Sequence, residues 1–176
     1  MQIAIDTEKE LQEKMYVFLS SYFIVEKEVW STDHKCRIDL VMIHKSDTLR
    51  LFPIGIEIKT NDKKIGVSLG QWLRQSNGYA FKDFINYGKL MVITYPQISG
   101  QCLDEGKLMH PHNVYERGDL ACQHNVNTFL AQFRIGELQK YISNDKTYLR
   151  IVFNSKMVWD HRTDDFRTHN YLFGCK

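Results

Sequence analysis

The sequence predicts a single α/β domain built on a mixed sheet, and three observations carry that reading. An N-terminal helical stripe is followed by three strand-like runs in close succession. A second helical segment then leads into a strongly apolar strand, KLMVITY at Lys89–Tyr95, and further strand-like runs return near the C-terminus. Helix, three-strand meander, helix, strand, helix and late strands is the order of helices layered on a sheet with both parallel and antiparallel neighbours. At 176 residues, with 43% hydrophobic and 12% aromatic content, residues 1–176 suit one domain with a real core and exclude a disordered chain.

The first helix is expected to start at Thr7, whose side chain can cap the open N–H groups of the first turn, with Glu10 closing a capping box. Leu11, Met15, Phe18, Leu19 and Tyr22 follow at helical spacing and form its buried stripe. Phe23–Trp30 and Arg37–His44 read as strands, with a turn at Ser46–Leu49 after the second. Leu51–Lys59 is the third strand, with Pro53 near its beginning, where a missing N–H is best tolerated. A polar loop, Asn61–Gly66, leads to a helix over Ser68–Asn86. Lys89–Tyr95 is a strand of the fully buried kind, closed by Pro96. Residues 97–119 show little periodicity and are expected to form a long loop or insertion. Leu120–Phe133 reads as a third helix and Tyr148–Asn154 with Lys156–Trp159 as a hairpin, while the tail from His161 carries no assignment.

Lys and Arg total 23 against 21 Asp and Glu, and a net charge of +2 does not by itself argue for nucleic acid. No apolar run approaches the ~18 residues of a membrane span, and the charged N-terminus lacks the apolar core of a signal peptide. The cysteines at 36, 102, 122 and 175 are scattered and read as reduced thiols, so a cytoplasmic location is expected.

The segments that carry chemistry are RID at Arg37–Asp39 and GIEIK at Gly55–Lys59. Alternate residues of a strand share a face, so Glu57 and Lys59 point one way and Ile54, Ile56 and Ile58 the other, into the core. A meander brings Asp39 beside Glu57. Two carboxylates make a hard oxygen site for Mg²⁺ or Mn²⁺, which activates bound water and offsets phosphate charge. A lysine beside them can hold the attacking water and stabilise the transition state. Taken alone, a Glu and a Lys two residues apart also describe a solvated strand face with an ion pair.

The pattern RID…GIEIK resembles the PD-(D/E)XK nuclease superfamily, with Asp39 as the first acid, Glu57 and Lys59 as the acid-x-lysine element, and Ile-Asp in place of Pro-Asp. On the following helix, Gln75-Ser-Asn-Gly-Tyr79 resembles the Q-x-x-x-Y element of RecB-like members. The resemblance covers about residues 7–95. It implies a restriction-endonuclease-like mixed sheet flanked by helices, and a Mg²⁺- or Mn²⁺-dependent deoxyribonuclease acting in restriction, recombination, junction resolution or mobile-element processing. Asp39 and Glu57 would hold metal, Lys59 would act on the water, and Glu8 and Gln75 would assist. DNA rather than RNA, and a possible homodimer, are also inherited from the resemblance.

An additional acid from the first helix is a feature of such nucleases. Glu8 falls on the side of Leu11, Met15 and Phe18, whereas Glu13 falls almost opposite, so Glu8 is the candidate catalytic and metal-binding residue there. A first-turn glutamate is equally favoured by the helix dipole. Glu28 on the first strand is a further acid that could face the site. Lys63, Lys64, Arg74 and Tyr79 are candidate nucleic-acid contacts, and Lys82 lies nearby, although a solvated charged face explains the basic residues nearly as well. Trp72 and Trp159 could stack on bases but are more often core. Cys102, His110, His112, Cys122 and His124 are zinc-compatible ligands with irregular spacing and no paired C-x-x-C, which argues against zinc. The rival reading is a nucleic-acid-binding or interaction module on the same fold, without catalysis.

Overall fold

The structure, a computed structural model, describes residues 7–47, 52–60, 69–98 and 126–167. Helix α1 spans Glu8–Leu19, and its capping box is formed as expected: the Thr7 side chain accepts from the Glu10 N–H, and the Thr7 N–H donates to the Glu10 carboxylate. Strands β1 (Phe23–Trp30), β2 (Arg37–His44) and β3 (Ile54–Ile58) follow as an antiparallel meander. Pro53 stands just before β3, and its carbonyl accepts the Met91 N–H. Leu51, the first residue expected in this strand, lies outside the described residues.

Helix α2 is described over Leu69–Ala80, and here the structure corrects the sequence reading, which carried the helix on to Asn86. The Phe81 and Lys82 N–H groups bond back only three residues, to Gly78 and Tyr79, tightening the last turn. The chain then makes a small hairpin, β4 (Asp83–Phe84) with β5 (Gly88–Lys89), turned through Asn86 and Gly88, which hold φ of 68° and 67°. Strand β6 (Met91–Tyr95) is the core of the apolar run. A third helix, α3, is described over residues 126–132, the later half of the expected one. Apart from Gln97 and Ile98, the expected long loop lies outside the described residues.

The hydrophobic pattern leaves strand β7 (Ile135–Ser143) unmarked. It joins β6 in parallel and β8 (Lys146–Phe153) antiparallel, and β9 (Lys156–Asp160) and β10 (Asp165–Phe166) complete the row. The result is an eight-stranded mixed sheet in the order β1-β2-β3-β6-β7-β8-β9-β10, with β3–β6 and β6–β7 parallel. The fold is thus α/β, with a large mixed sheet and three helices.

One sheet face is aliphatic and aromatic. Met15 and Leu19 of α1 pack with Leu40, Met42, Ile54, Ile56, Ile58, Met91, Ile93, Leu138 and Trp159, all buried. His44 closes this face: its Nδ1 accepts from Ser46, so Nε2–H donates to Asp164 at 2.9 Å, and the Trp159 indole donates to the same carboxylate. The opposite face carries α2, where Tyr79 and Ala80 pack on Val29, Ile38, Val41, Phe84, Leu90 and Val92, and Trp72 packs with Ile98, Leu130 and Ile135. Trp72 and Trp159 are therefore core residues. No helix among the described residues is long and apolar enough to cross a membrane.

Candidate active site

Antiparallel pairing of β2 with β3 ends at Leu40↔Ile56, one step short of Asp39 and Glu57. Beyond that pair, the Ile58 N–H donates to the Asp39 side chain, Oδ2, at 2.7 Å. The carboxylate takes over a ladder bond as the two strands part. The irregularity extends to β1: its register with β2 is constant from Phe23↔His44 to Trp30↔Arg37 but omits the Glu28–Asp39 pair, and Glu28 holds a left-handed φ of 56°. Ile38 packs under α2 while Leu40 packs under α1, so the alternation of β2 breaks at Asp39.

Glu57 points away from Ile56 and Ile58, as the alternation predicts, and its side chain is 1% exposed. Lys59 Nζ lies 2.7 Å from Glu57 Oε1 and 3.3 Å from Glu8 Oε1, so the first turn of α1 reaches the end of β3. Glu13, on the other side of α1, instead pairs with Lys27 at 3.0 Å. Gln12 was not singled out by the sequence reading, yet its amide donates to Asp39 Oδ1 at 3.2 Å. Its signal was available, because it stands one helical turn after Glu8.

The charges are strained by burial. Glu57 is pushed up to about 8 by burial and then by Asp39, against the pull of Lys59. Asp39 is raised as well, by burial first, in spite of the Ile58 N–H and Lys59. Burial works against the Lys59 ammonium, but Glu57, Glu8 and Asp39 outweigh it and hold its proton more tightly than usual. Among the described residues, Glu57 Oε2, Thr94 Oγ1, Ser76 Oγ and Trp72 Nε1 are buried without a hydrogen-bond partner.

Register places Glu57 opposite Thr94 and Thr94 opposite Glu137, so three buried polar residues form one row across the parallel strands. Glu137 accepts from Asn127 at 2.9 Å and from Gln139 at 3.0 Å, and Arg150 donates to Gln139 at 3.0 Å.

Gln75 and Tyr79 are joined, Nε2 to hydroxyl, at 2.7 Å, and the Tyr79 hydroxyl donates to the Arg37 carbonyl at 3.0 Å. Tyr79 is a buried side chain whose hydroxyl fixes the start of β2. Its hydroxyl is pushed up to about 12 by burial, then by Glu57. Arg74 is exposed on α2, and Lys82 is engaged with Asp33. Glu28 pairs with Arg37 at 3.2 Å. Lys63, Lys64 and the five Cys and His residues of the 102–124 cluster lie outside the described residues. Cys36 is a free, partly buried thiol.

Among the described residues, no group of three or more His, Cys, Asp and Glu side chains is arranged to hold a metal ion. The candidate ligands are the two carboxylates Asp39 and Glu57, with Glu8 turned towards Lys59. No protein-family model, curated protein or solved structure matches the chain.

Proposed function

We propose that this protein is a metal-dependent nuclease of PD-(D/E)XK type that hydrolyses DNA phosphodiester bonds, on a restriction-endonuclease-like core formed by α1, β1–β3, α2 and β6. One observation carries the reading: Asp39, Glu57 and Lys59 converge where β2 parts from β3, with Glu8 and Gln12 of α1 closing on the same point. An ion pair made for stability alone would not leave Glu57 Oε2 buried without a partner or hold two carboxylates against their preferred charge.

The donor set fits Mg²⁺ or Mn²⁺. Asp39 and Glu57 would hold the ion, whose charge would relieve both raised carboxyls, and Glu57 Oε2 is a hard oxygen without another partner. When bound, such an ion supplies an activated water and neutralises charge on the phosphate. Lys59 steadies the attacking water and the charge growing on the phosphoryl oxygens. Glu8 and Glu57 orient its ammonium, and Gln12 and the Ile58 N–H hold Asp39 in place. Gln75 acts through Tyr79 and the Arg37 backbone, two residues from Asp39.

The test is cleavage of plasmid, single-stranded and branched DNA with Mg²⁺, Mn²⁺ or chelator. The expected result is metal-dependent cleavage that Asp39→Asn and Glu57→Gln each abolish while the far-ultraviolet spectrum stays unchanged. DNA binding without cleavage on any substrate would overturn the reading in favour of a binding module.

A further inference from the structure

The last residues of β1 carry a side chain that the catalytic reading does not use. Trp30 is 43% exposed, whereas the other two tryptophans, Trp72 and Trp159, are 2% and 0% exposed. A large indole left in solvent forgoes the burial that usually holds it, and it presents a ring face on which another flat group can stack. Its cross-strand partner is Arg37, whose guanidinium lies 5.5 Å from the ring centroid. Arg37 is held in turn by Glu28 at 3.2 Å, and its carbonyl by the Tyr79 hydroxyl. His34 adds a tilted ring 6.4 Å from the indole.

This platform has a defined position. Arg37 precedes Asp39 by two residues in β2, and Trp30 stands directly across from Arg37. The indole therefore lies on the strand next to Asp39, at the same end of β2 as the candidate site. Bases inside a duplex are already stacked on each other, whereas an unpaired base has a free face to give to an aromatic ring, with a neighbouring cation for its phosphate.

We infer that Trp30 and Arg37 form a stacking subsite for an unpaired base next to the scissile phosphate, so that the preferred substrate is single-stranded or frayed DNA. The inference rests on the nuclease reading for the position of the phosphate, but its test does not depend on cleavage. Trp30 is the exposed tryptophan, so the long-wavelength part of the emission reports the subsite over the shorter-wavelength emission of buried Trp72 and Trp159. In chelator, a short oligothymidylate should quench the wild-type emission saturably, and a blunt duplex of the same length should not. Trp30→Leu, which also removes the reporter, should bind a dye-labelled single strand about 5- to 150-fold more weakly by fluorescence anisotropy, the scale of one lost base stack. Trp30→Phe, which keeps a ring, should bind more tightly than Trp30→Leu, and it carries the test if the leucine variant does not fold. Equal single-strand affinity of wild type and both variants, or equal quenching by the duplex, would overturn the subsite. Quenching by the single strand in a protein that cleaves nothing would instead overturn the nuclease reading and leave the subsite standing.

Discussion

The two faces of the central sheet meet in a single strand and follow opposite rules. Under α1, Ile54, Ile56 and Ile58 are wholly buried among other apolar side chains. Under α2, the same strand presents Gly55 and Glu57, and the row continues through Thr94 to Glu137. Burying aliphatic surface stabilises the fold by roughly 1.5–3 kcal/mol per large side chain, whereas burying an ionised carboxylate costs free energy unless it is fully partnered. The α1 face therefore supplies the rigidity that keeps Asp39 and Glu57 in a state they would leave if free. Strain of this kind persists at sites whose surroundings over-determine it.

The sharpest way to break the comparison is to change neighbours on β3. Ile56→Ala should lower unfolding stability by ~2–5 kcal/mol in denaturant titration, as for other buried aliphatic truncations. Glu57→Gln should leave stability at pH 7 equal or higher. The sign follows from its raised pKa: between its usual 4.5 and about 8 the folded protein keeps a proton that the unfolded chain has released. Wild-type stability should therefore fall as pH rises through that window, and Glu57→Gln should flatten the slope. If the two substitutions destabilise equally, the faces do not differ as described.

Next in size is Lys59→Met, which keeps most of the stem and removes the ammonium. Single-turnover cleavage should drop by ~10²-fold, the scale of one positioned electrostatic group. A normal single-turnover rate would take Lys59 out of the chemistry.

Two glycines sharpen the contrast further. A methyl at Gly136 would stand 2.7 Å from the Val152 backbone oxygen, which cannot turn aside. One at Gly55 would meet the side-chain tips of Ile38 at 2.6 Å and Leu90 at 2.8 Å, which can. Gly136→Ala should cost ~1–3 kcal/mol, and Gly55→Ala less, both read from thermal melts. The smallest expected effect is at the rim of the site: Glu8→Gln should slow cleavage a few-fold and Glu13→Gln should not, and the reverse order would place the wrong side of α1 against the sheet.

Much of this was legible in the sequence because local rules and the fold agree. The capping box set the start of α1, the alternation in GIEIK separated the isoleucines from Glu57, and the meander brought Asp39 to it. Reading failed where burial and polarity part company. Strand β7 hides because Glu137 and Gln139 are buried on one of its faces, so its alternation does not look amphipathic. The helix expected to run to Asn86 stops at Ala80, because Phe84 is buried through a hairpin whose turn needs the left-handed Asn86 and Gly88. Tyr79 carried a recognisable motif without revealing that its hydroxyl would be bonded to Arg37.

The left-handed Glu28 has a consequence beyond the site. Strand β1 is the outer strand at one end of the sheet. The β4–β5 hairpin covers its last carbonyl, where the Ile85 N–H donates to Trp30, and the rest of the strand offers open N–H and C=O groups to any extended chain that meets it. A straight eight-residue strand would be a long template for self-association. Glu28 bends that template, and the charged neighbours Glu26 and Lys27 line the same stretch. A second copy would meet a bent, charged edge in place of a straight ladder. The backbone twist that unpairs Glu28 from Asp39 also makes the outer edge of the sheet a poorer template for a further strand.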